Sequence, residues 1–221
     1  DINLYYRGGC NVFPLYLYQD KDKKLLSETR KPNLNEAIVA ELSQRIGLQY
    51  IEEKEAGSYR KTFAPIDILD YVYAVLHSPT YRERYKEFLK IDFPRVPYPE
   101  DAKQFRRLAK LGEKLRVLHL LEGVEPHGGV AKFQIPGSDT VEKIRYEEPS
   151  ETSNGRVWIN DKQFFDGIPQ EVWGFYIGGY QVAQKWLKDR KDRVLEYDDV
   201  QHYRRIIWVL TETARIMEEL R

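Results

Sequence analysis

The segment Ile91-Asp92-Phe93-Pro94-Arg95-Val96-Pro97-Tyr98-Pro99, with its three prolines, most constrains what this chain folds into. Each proline fixes its own φ, lacks an amide hydrogen and drives the preceding residue to extended geometry. Neither a helix nor a central strand can run through it, so a stiff, extended crossing is expected. Helical periodicity stands on both sides. Upstream, Ile66, Leu69, Tyr73 and Leu76 recur on one face. Ser78-Pro79 then ends that helix and starts another, because Ser caps well and Pro suits the first helical position. In the second helix Tyr81, Tyr85, Phe88 and Leu89 share a face, while Arg82, Arg84 and Lys86 point elsewhere. Downstream, a long helix is predicted from about Pro99 to Glu122, with Phe105, Leu108, Leu115 and Leu118 as its apolar stripe.

The ends of the chain read differently. Residues 11–18 read as a strand with Pro14 at its edge or start, and residues 20–32 as a charged loop. Asn33 is expected to cap a helix carrying Leu34, Ala37, Ile38, Glu41 and Leu42, stopped at Gly47. Residues 130–135 and 140–146 alternate in strand fashion around Pro136-Gly137-Ser138-Asp139, and residues 156–159 and 163–165 around Asn160-Asp161-Lys162. Trp173 to Ile177 suggests another strand. Gly178-Gly179 is expected to open a helix to about Arg190, and a last helix to run from about Asp198 to Leu220. The expected class is α+β, helices flanking a small, mostly antiparallel sheet. Residues 1–10 are read as the tail of a preceding region and 11–221 as a single domain.

No run approaches the roughly 20 apolar residues of a membrane helix. The opening residues lack the basic start and apolar stretch of a signal peptide, and a chain without an initiator Met is expected to be part of a longer polypeptide. The lone cysteine, Cys10, excludes an internal disulfide and fits a reducing cytoplasm. His77, His119, His127 and His202 show no metal-ligand spacing, no nucleophile–base set is visible, and no Gly-rich phosphate loop occurs. Gly178-Gly179 could hold an anion at a helix N-terminus, but it reads instead as a tight strand-to-helix turn. No catalytic residue and no metal ligand are therefore expected.

Formal net charge is zero, which argues against wholesale nonspecific nucleic-acid binding. The charge is nevertheless polarised. Between Arg82 and Arg116 eleven Lys or Arg stand against six acids, whereas from Asp139 to Asp166 four bases face seven acids. The first cluster reads as a phosphate-contacting surface.

The stretch Ile68-Leu69-Asp70-Tyr71-Val72-Tyr73-Ala74-Val75-Leu76-His77-Ser78-Pro79-Thr80-Tyr81-Arg82-Glu83-Arg84-Tyr85, followed by Asp92-Phe93-Pro94-Arg95-Val96-Pro97-Tyr98-Pro99, resembles the C-terminal specificity (target-recognition) domain of type ISP restriction–modification enzymes and related adenine methyltransferases. The run Gly178 to Arg190 and the pattern Leu195-x-Tyr197-Asp198-Asp199-Val200-x-x-Tyr203 resemble that family too, so the likeness spans roughly residues 11–219. The resemblance implies a reader of double-stranded DNA. Methyl transfer from S-adenosylmethionine, and any helicase or nuclease activity, would belong to domains of the same polypeptide outside this chain. The chain lacks an Asn-Pro-Pro-Tyr/Phe motif, so no cofactor is expected within it.

Contact candidates follow from side-chain chemistry, since Arg, Lys, Asn and Gln read base edges while cations and hydroxyls meet phosphates. Arg82, Arg84, Lys103, Arg106 and Arg107 are assigned to phosphates. Tyr59, Arg60 and Lys61 in one loop, Lys132 and Gln134 on a hairpin, and Ser153, Asn154 and Arg156 in another loop are assigned to bases. The competing reading is a protein-interaction module anchored by exposed aromatics; a hydrolase assembled across the fold is the third.

Overall fold

A computed structural model describes residues 12–18, 30–54, 61–123, 125, 130–151 and 154–221. Cys10, Tyr59, Arg60, His127 and Ser153 lie outside the described residues. Contacts cluster into two compact units, residues 1–114 with Leu220, and residues 115–219 with Arg221. The class is α+β, as expected, with several small sheets in place of one. Three of the four are antiparallel among the described residues.

In the first unit, β1 (Tyr16–Tyr18) pairs antiparallel with β2 (Arg30–Pro32). Residues 30–32 were expected as loop. They form a strand by backbone pairing with Tyr16–Tyr18, and the Arg30 guanidinium at its start donates Nε to Glu53 Oε1 at 2.7 Å and Nη2 to Glu53 Oε2 at 2.6 Å. The same pairing moves the cap of α1 (Glu36–Ile46) two residues on. Asn33 is bound to the first strand's end, its amide donating to Pro14 O, and Asn35 Oδ1 instead accepts from the Ala37 and Ile38 amides. The buried face is accordingly Val39, Leu42 and Ile46, leaving Ile38 exposed. Strands β3 (Gln49–Tyr50) and β4 (Thr62–Phe63) pair in parallel.

Helix α2 (Pro65–His77) starts on Pro65, with Asp67 Oδ2 accepting from the Ala64 amide at 2.9 Å. It buries Tyr71, Ala74 and Val75, a face turned from the expected one, on which Leu69 stays exposed. Ser78 joins it to α3 (Pro79–Arg84): its hydroxyl accepts from the Tyr81 amide and donates to Leu220 O at 2.8 Å. A 3₁₀ turn follows at Phe88–Lys90. Helix α4 (Ala102–His119) begins three residues later than predicted, because Asp101 Oδ1 caps the Gln104 amide while Gln104 Oε1 reaches back to the Glu100 amide.

Between the 3₁₀ turn and α4 the proline segment runs without regular structure, as expected. It is bound to three helices, through two of its carbonyls and one of its own hydroxyls. Tyr71 Oη donates to Pro97 O and Tyr81 Oη to Arg95 O, each at 2.9 Å, while Tyr98 Oη donates to Glu41 Oε2 at 3.0 Å beneath the Arg45 guanidinium. Burial pushes the Tyr71 phenol up to about 12, so it stays a donor at every physiological pH. Phe105 centres the core, with ring centroids 5.6 Å from Phe63 and 5.4 Å from Tyr71. Gly112 of α4 lies against the α2 backbone at the buried Asp70, where a Cβ would overlap the Asp70 carbonyl oxygen.

In the second unit, β5 (Arg145–Glu147), β6 (Arg156–Trp158) and β7 (Phe164–Asp166) form an antiparallel sheet. The predicted turn at 160–162 is present: Asn160 Oδ1 accepts from the Lys162 and Gln163 amides. The predicted hairpin of 130–135 with 140–146 is absent. Fully buried Gln163 explains why, since its side chain donates to Ile135 O and accepts from the Asp139 amide, taking the groups a hairpin would pair. Only an isolated bridge, Lys132 with Asp166, extends the sheet there.

Helix α5 (Gln170–Trp173), the hairpin β8 (Tyr176–Ile177) and β9 (Tyr180–Gln181), α6 (Val182–Lys188) and α7 (Tyr197–Glu219) complete the unit. Gly178-Gly179 thus turn a hairpin, and the helix expected to start there begins at Val182. The core joins Val157 and Phe165 of the sheet to Ala183 and Leu187 of α6 and Tyr203 and Ile207 of α7.

Two stability changes follow. Tyr71→Phe and Tyr81→Phe should each cost about 0.5–1.5 kcal/mol, because each removes a hydrogen bond to a proline-segment carbonyl. Gly112→Ala should cost more, about 1–3 kcal/mol, by overpacking against the Asp70 backbone. Urea unfolding midpoints measure both; unchanged midpoints for the tyrosine variants would show that these carbonyls are satisfied elsewhere.

Candidate nucleic-acid interface

In the first unit the cations from Arg82 to Lys114 differ in how far acids meet them. Lys86 pairs with Glu83 at 3.8 Å, Lys90 with Glu87 at 2.7 Å and Arg95 with Asp92 at 3.8 Å, each an acid three residues earlier. Arg82 and Arg84 are exposed on α3, and the Arg84 guanidinium lies 5.5 Å from the Tyr85 ring centroid.

On α4, Lys103, Arg107, Lys110 and Lys114 are all exposed. Their spacings of four, three and four residues set them on one narrow face. At ~1.5 Å rise per residue the stripe is roughly 16 Å long. Lys103, Lys110 and Lys114 form no salt bridge among the described residues. Like charges at this spacing each cost a few tenths of a kcal/mol (~0.2–0.5), and Lys103 in the first turn also opposes the helix dipole. The stripe is therefore locally unfavourable, as expected of a surface that meets anions. Arg106 was grouped with Arg107 from sequence, but it is half-buried and sits about 70° round the helix from the stripe's centre. Lys110 and Lys114, not singled out from sequence, complete the stripe, and the i, i+4, i+7, i+11 spacing was the signal that would have found them. Lys61 is exposed at the entry to β4.

In the second unit the outer face of the three-stranded sheet carries two cross-strand rows: Arg145, Trp158 and Phe164, and Glu147, Arg156 and Asp166. Arg156, expected to read a base, instead donates Nε to Asp166 Oδ1 at 3.1 Å and Nη1 to Glu147 Oε1 at 3.4 Å, over the Phe164 ring. Trp158 Nε1 donates to Glu147 Oε2 at 2.8 Å, and the Arg145 guanidinium lies 4.8 Å from the Trp158 centroid. The donors of Arg156 are thus engaged within the sheet.

Lys132 and Asn154 come together on the wall of an open cleft of about 800 Å³, lined also by Val130, Asp166, Gly167 and Pro169. Gly155 places Asn154 there. Its φ of 98° and its contact with Ile168 O and Tyr146 Oη exclude a side chain, and its carbonyl accepts from the Gly167 and Ile168 amides. Gln134 is exposed on the extended loop that replaces the expected hairpin. The side chains of Lys132, Gln134 and Asn154 make no hydrogen bond or salt bridge among the described residues.

The described histidines serve the fold. Burial holds the His77 imidazole below its ordinary value, against the opposing Tyr73 carbonyl, so it adds no cation at neutral pH. His119 Nε2 lies 2.9 Å from Thr213 Oγ1, and His202 packs on Trp186. Among the described residues no cluster of three His, Cys, Asp or Glu is placed to hold a metal, and no helix is long and apolar enough to cross a membrane.

An α+β module with an exposed cationic helix face and unpaired amides on loops has the attributes of a recognition module. The chain belongs to the Type ISP C-terminal specificity domain family, whose model matches residues 1–219. No curated protein sequence matches it. Among solved structures it is similar to a DrdV–DNA complex determined by cryo-electron microscopy, with a TM-score of 0.68 and 22% identity over 93% of this chain and 21% of that one. It is similar to the ATP-dependent Type ISP restriction–modification enzyme LlaBIII bound to DNA, with a TM-score of 0.65 and 21% identity over 100% of this chain and 14% of that one. A nuclease-deletion mutant of the Type ISP enzyme LlaGI, in complex with a DNA substrate mimic, matches with a TM-score of 0.51 and 24% identity over 70% of this chain and 13% of that one. At these identities the likeness establishes the fold. The chain spans between 13% and 21% of these structures' length.

The two classes of polar residue should separate by stability. Arg156→Ala should lower stability by roughly 0.5–1 kcal/mol through loss of a partly exposed network. Lys132→Ala, Gln134→Ala and Asn154→Ala should melt within about 0.5 kcal/mol of wild type. Thermal melts check the ranking, and equal effects across the four would mean that Arg156 is as free as the others.

Proposed function

We propose that this chain is the sequence-reading part of a restriction–modification adenine methyltransferase and binds double-stranded DNA through faces of both units. The observation that carries the reading is the α4 stripe in a chain of the specificity-domain family. Four exposed cations share one helical face, and three of them have no acid to meet within the described residues. Phosphate contacts of this kind position a reader without carrying sequence information. Lys103, Arg107, Lys110 and Lys114, with Arg82 and Arg84, take that role. Arg106 borders the stripe and adds to it less directly.

Base contacts fall to groups with oriented donors and acceptors: Lys132, Gln134 and Asn154 in the second unit and Lys61 in the first, with Tyr59 and Arg60 of the adjoining segment assigned on chemistry alone. Arg156 reads a base only if it exchanges its acids for one. Residues 11–221 act together as one recognition domain. Methyl transfer from S-adenosylmethionine, and any cleavage or translocation, belong to other parts of the polypeptide, which works in the cytoplasm. The DNA-bound state of the similar structures supports this reading.

Replacing Lys103, Lys110 and Lys114 together by Gln should weaken binding to all duplexes alike and flatten the dependence of log K on log salt by about 2.5–3, close to 0.9 per lost phosphate contact. Anisotropy titrations at several salt concentrations measure it. A triple variant that binds with the wild-type slope would remove the stripe from the interface.

A further inference from the structure

The hairpin of β8 and β9 holds residues that packing does not explain. Residues 176–180 are all exposed, with Tyr176 at 60%, Ile177 at 57% and Tyr180 at 63%. Nothing lies within 4 Å of a Cβ built on Gly178 or Gly179, so the tip stands in open space. Its base is firm. The Val182 amide donates to Phe175 O at 3.3 Å, and the Gln181 side-chain amide donates to the Trp173 carbonyl. The helices on either side bury Val172, Trp173, Ala183 and Leu187. A fixed hairpin that keeps two tyrosines and an isoleucine in water marks an interaction site.

The neighbouring charges identify the kind of partner. Strand β9 runs directly into α6, and residues 185–193 carry five Lys or Arg against two Asp. The Lys185 ammonium stands 5.8 Å from the Tyr180 ring centroid. Lys185 pairs with Asp189 and Arg190 with Asp199. Lys188, Lys191 and Arg193 are exposed and have no salt bridge among the described residues. Aromatic faces beside unpaired cations complement a polyanion that carries flat π-surfaces, because bases stack on the rings while phosphates meet the lysines. An apolar pocket on a protein would take the tyrosines and leave these three cations without a role.

We infer that the Tyr176–Tyr180 hairpin is a stacking wedge for DNA, in which Tyr176, Ile177 and Tyr180 pack against a base step of the bound site and the cations that follow it, Lys188, Lys191 and Arg193, meet the flanking phosphates. Apolar side chains on a firm support unstack a step and bend the duplex in this way. The inference rests on the DNA reading above and adds a contact class that the charged residues do not supply. Stacking releases no counterions, so the wedge contributes affinity that is insensitive to salt.

The test uses the chain and a duplex enriched from a random-sequence pool by the wild-type protein. Affinities are measured by fluorescence anisotropy from roughly 50 to 200 mM salt. Tyr176→Ala/Tyr180→Ala should bind about tenfold or more weakly at every salt concentration, with the wild-type slope. Tyr176→Phe/Tyr180→Phe, which keeps the rings, should stay within about twofold. Both variants should melt like wild type, since the side chains are exposed. An Ala variant that binds like wild type overturns the wedge, leaves the DNA reading standing, and assigns the hairpin to a protein partner. A loss that vanishes as salt rises also overturns it, because the contact is then ionic. Failure of the wild-type chain to enrich any duplex overturns the DNA reading and the wedge together.

Discussion

A segment with three prolines keeps all its carbonyls but has lost three amides, so it cannot enter a ladder and its acceptors must be met from outside. The first unit is arranged around that requirement. Tyr71 from α2 and Tyr81 from α3 each donate to one carbonyl of residues 91–99, and Tyr98 of the segment donates to Glu41 of α1. Three helices are thereby referenced to one stiff strap. Both donating tyrosines are buried, with only the hydroxyl committed, so each contributes ring area to the core and direction to the strap. Helix α4 starts directly after the strap. The orientation of its exposed face therefore follows from how the prolines are held.

Zero net charge conceals a division between satisfied and unsatisfied groups. On the outer face of the β5–β6–β7 sheet two arginines, two acids and two aromatics satisfy one another across the strands. In the helical turns before α4, acids three residues back neutralise Lys86, Lys90 and Arg95. Charge density along the sequence registers all of these equally. Only geometry shows that, among the described residues, several cations without a salt bridge collect on α4 (Lys103, Lys110 and Lys114) and at and just beyond the end of α6 (Lys188, Lys191 and Arg193). The composition argued against wholesale polyanion binding, and it is consistent with two confined cationic surfaces.

Helix and turn chemistry was the most legible part. The extended strap, the Ser78-Pro79 junction, the Asn160 turn and α7 were all readable, because each rests on a local rule: a fixed torsion, a cap, a side chain accepting from nearby amides, or a long period. Local rules failed where a distant side chain took the same groups. Asn33 lost its capping role to Asn35 because its own amide is bound to the first strand. The 130–146 hairpin was pre-empted by Gln163, whose amide comes from another turn. The face of α2 was misplaced because the helix carries two apolar periods: Ile68, Tyr71, Val72 and Val75 face the core, where Gly112 lets α4 approach the Asp70 backbone, while the expected face leaves Leu69 exposed. For the candidate site, the cationic region was legible and its partition was not. Arg156 looks like a free loop arginine in sequence, yet two acids hold it.

The groups left unpaired differ in kind, and that difference bears on how a reader of DNA can work. Lysines on a helix face attract phosphate wherever it lies, so they supply affinity that every sequence shares and that salt erodes. Gln134 and Asn154 have fixed donor and acceptor directions, and the hairpin tyrosines present faces whose stacking depends on how readily a base step opens. Neither is screened by counterions. In the proposed reading, selectivity should therefore rise as salt rises, because the shared ionic term shrinks while the oriented and stacking terms persist. A chain with unpaired cations everywhere would bind more tightly and discriminate less. Confining them, by pairing many arginines and lysines with acids, keeps the nonspecific term small enough for the oriented groups to decide which duplex is held.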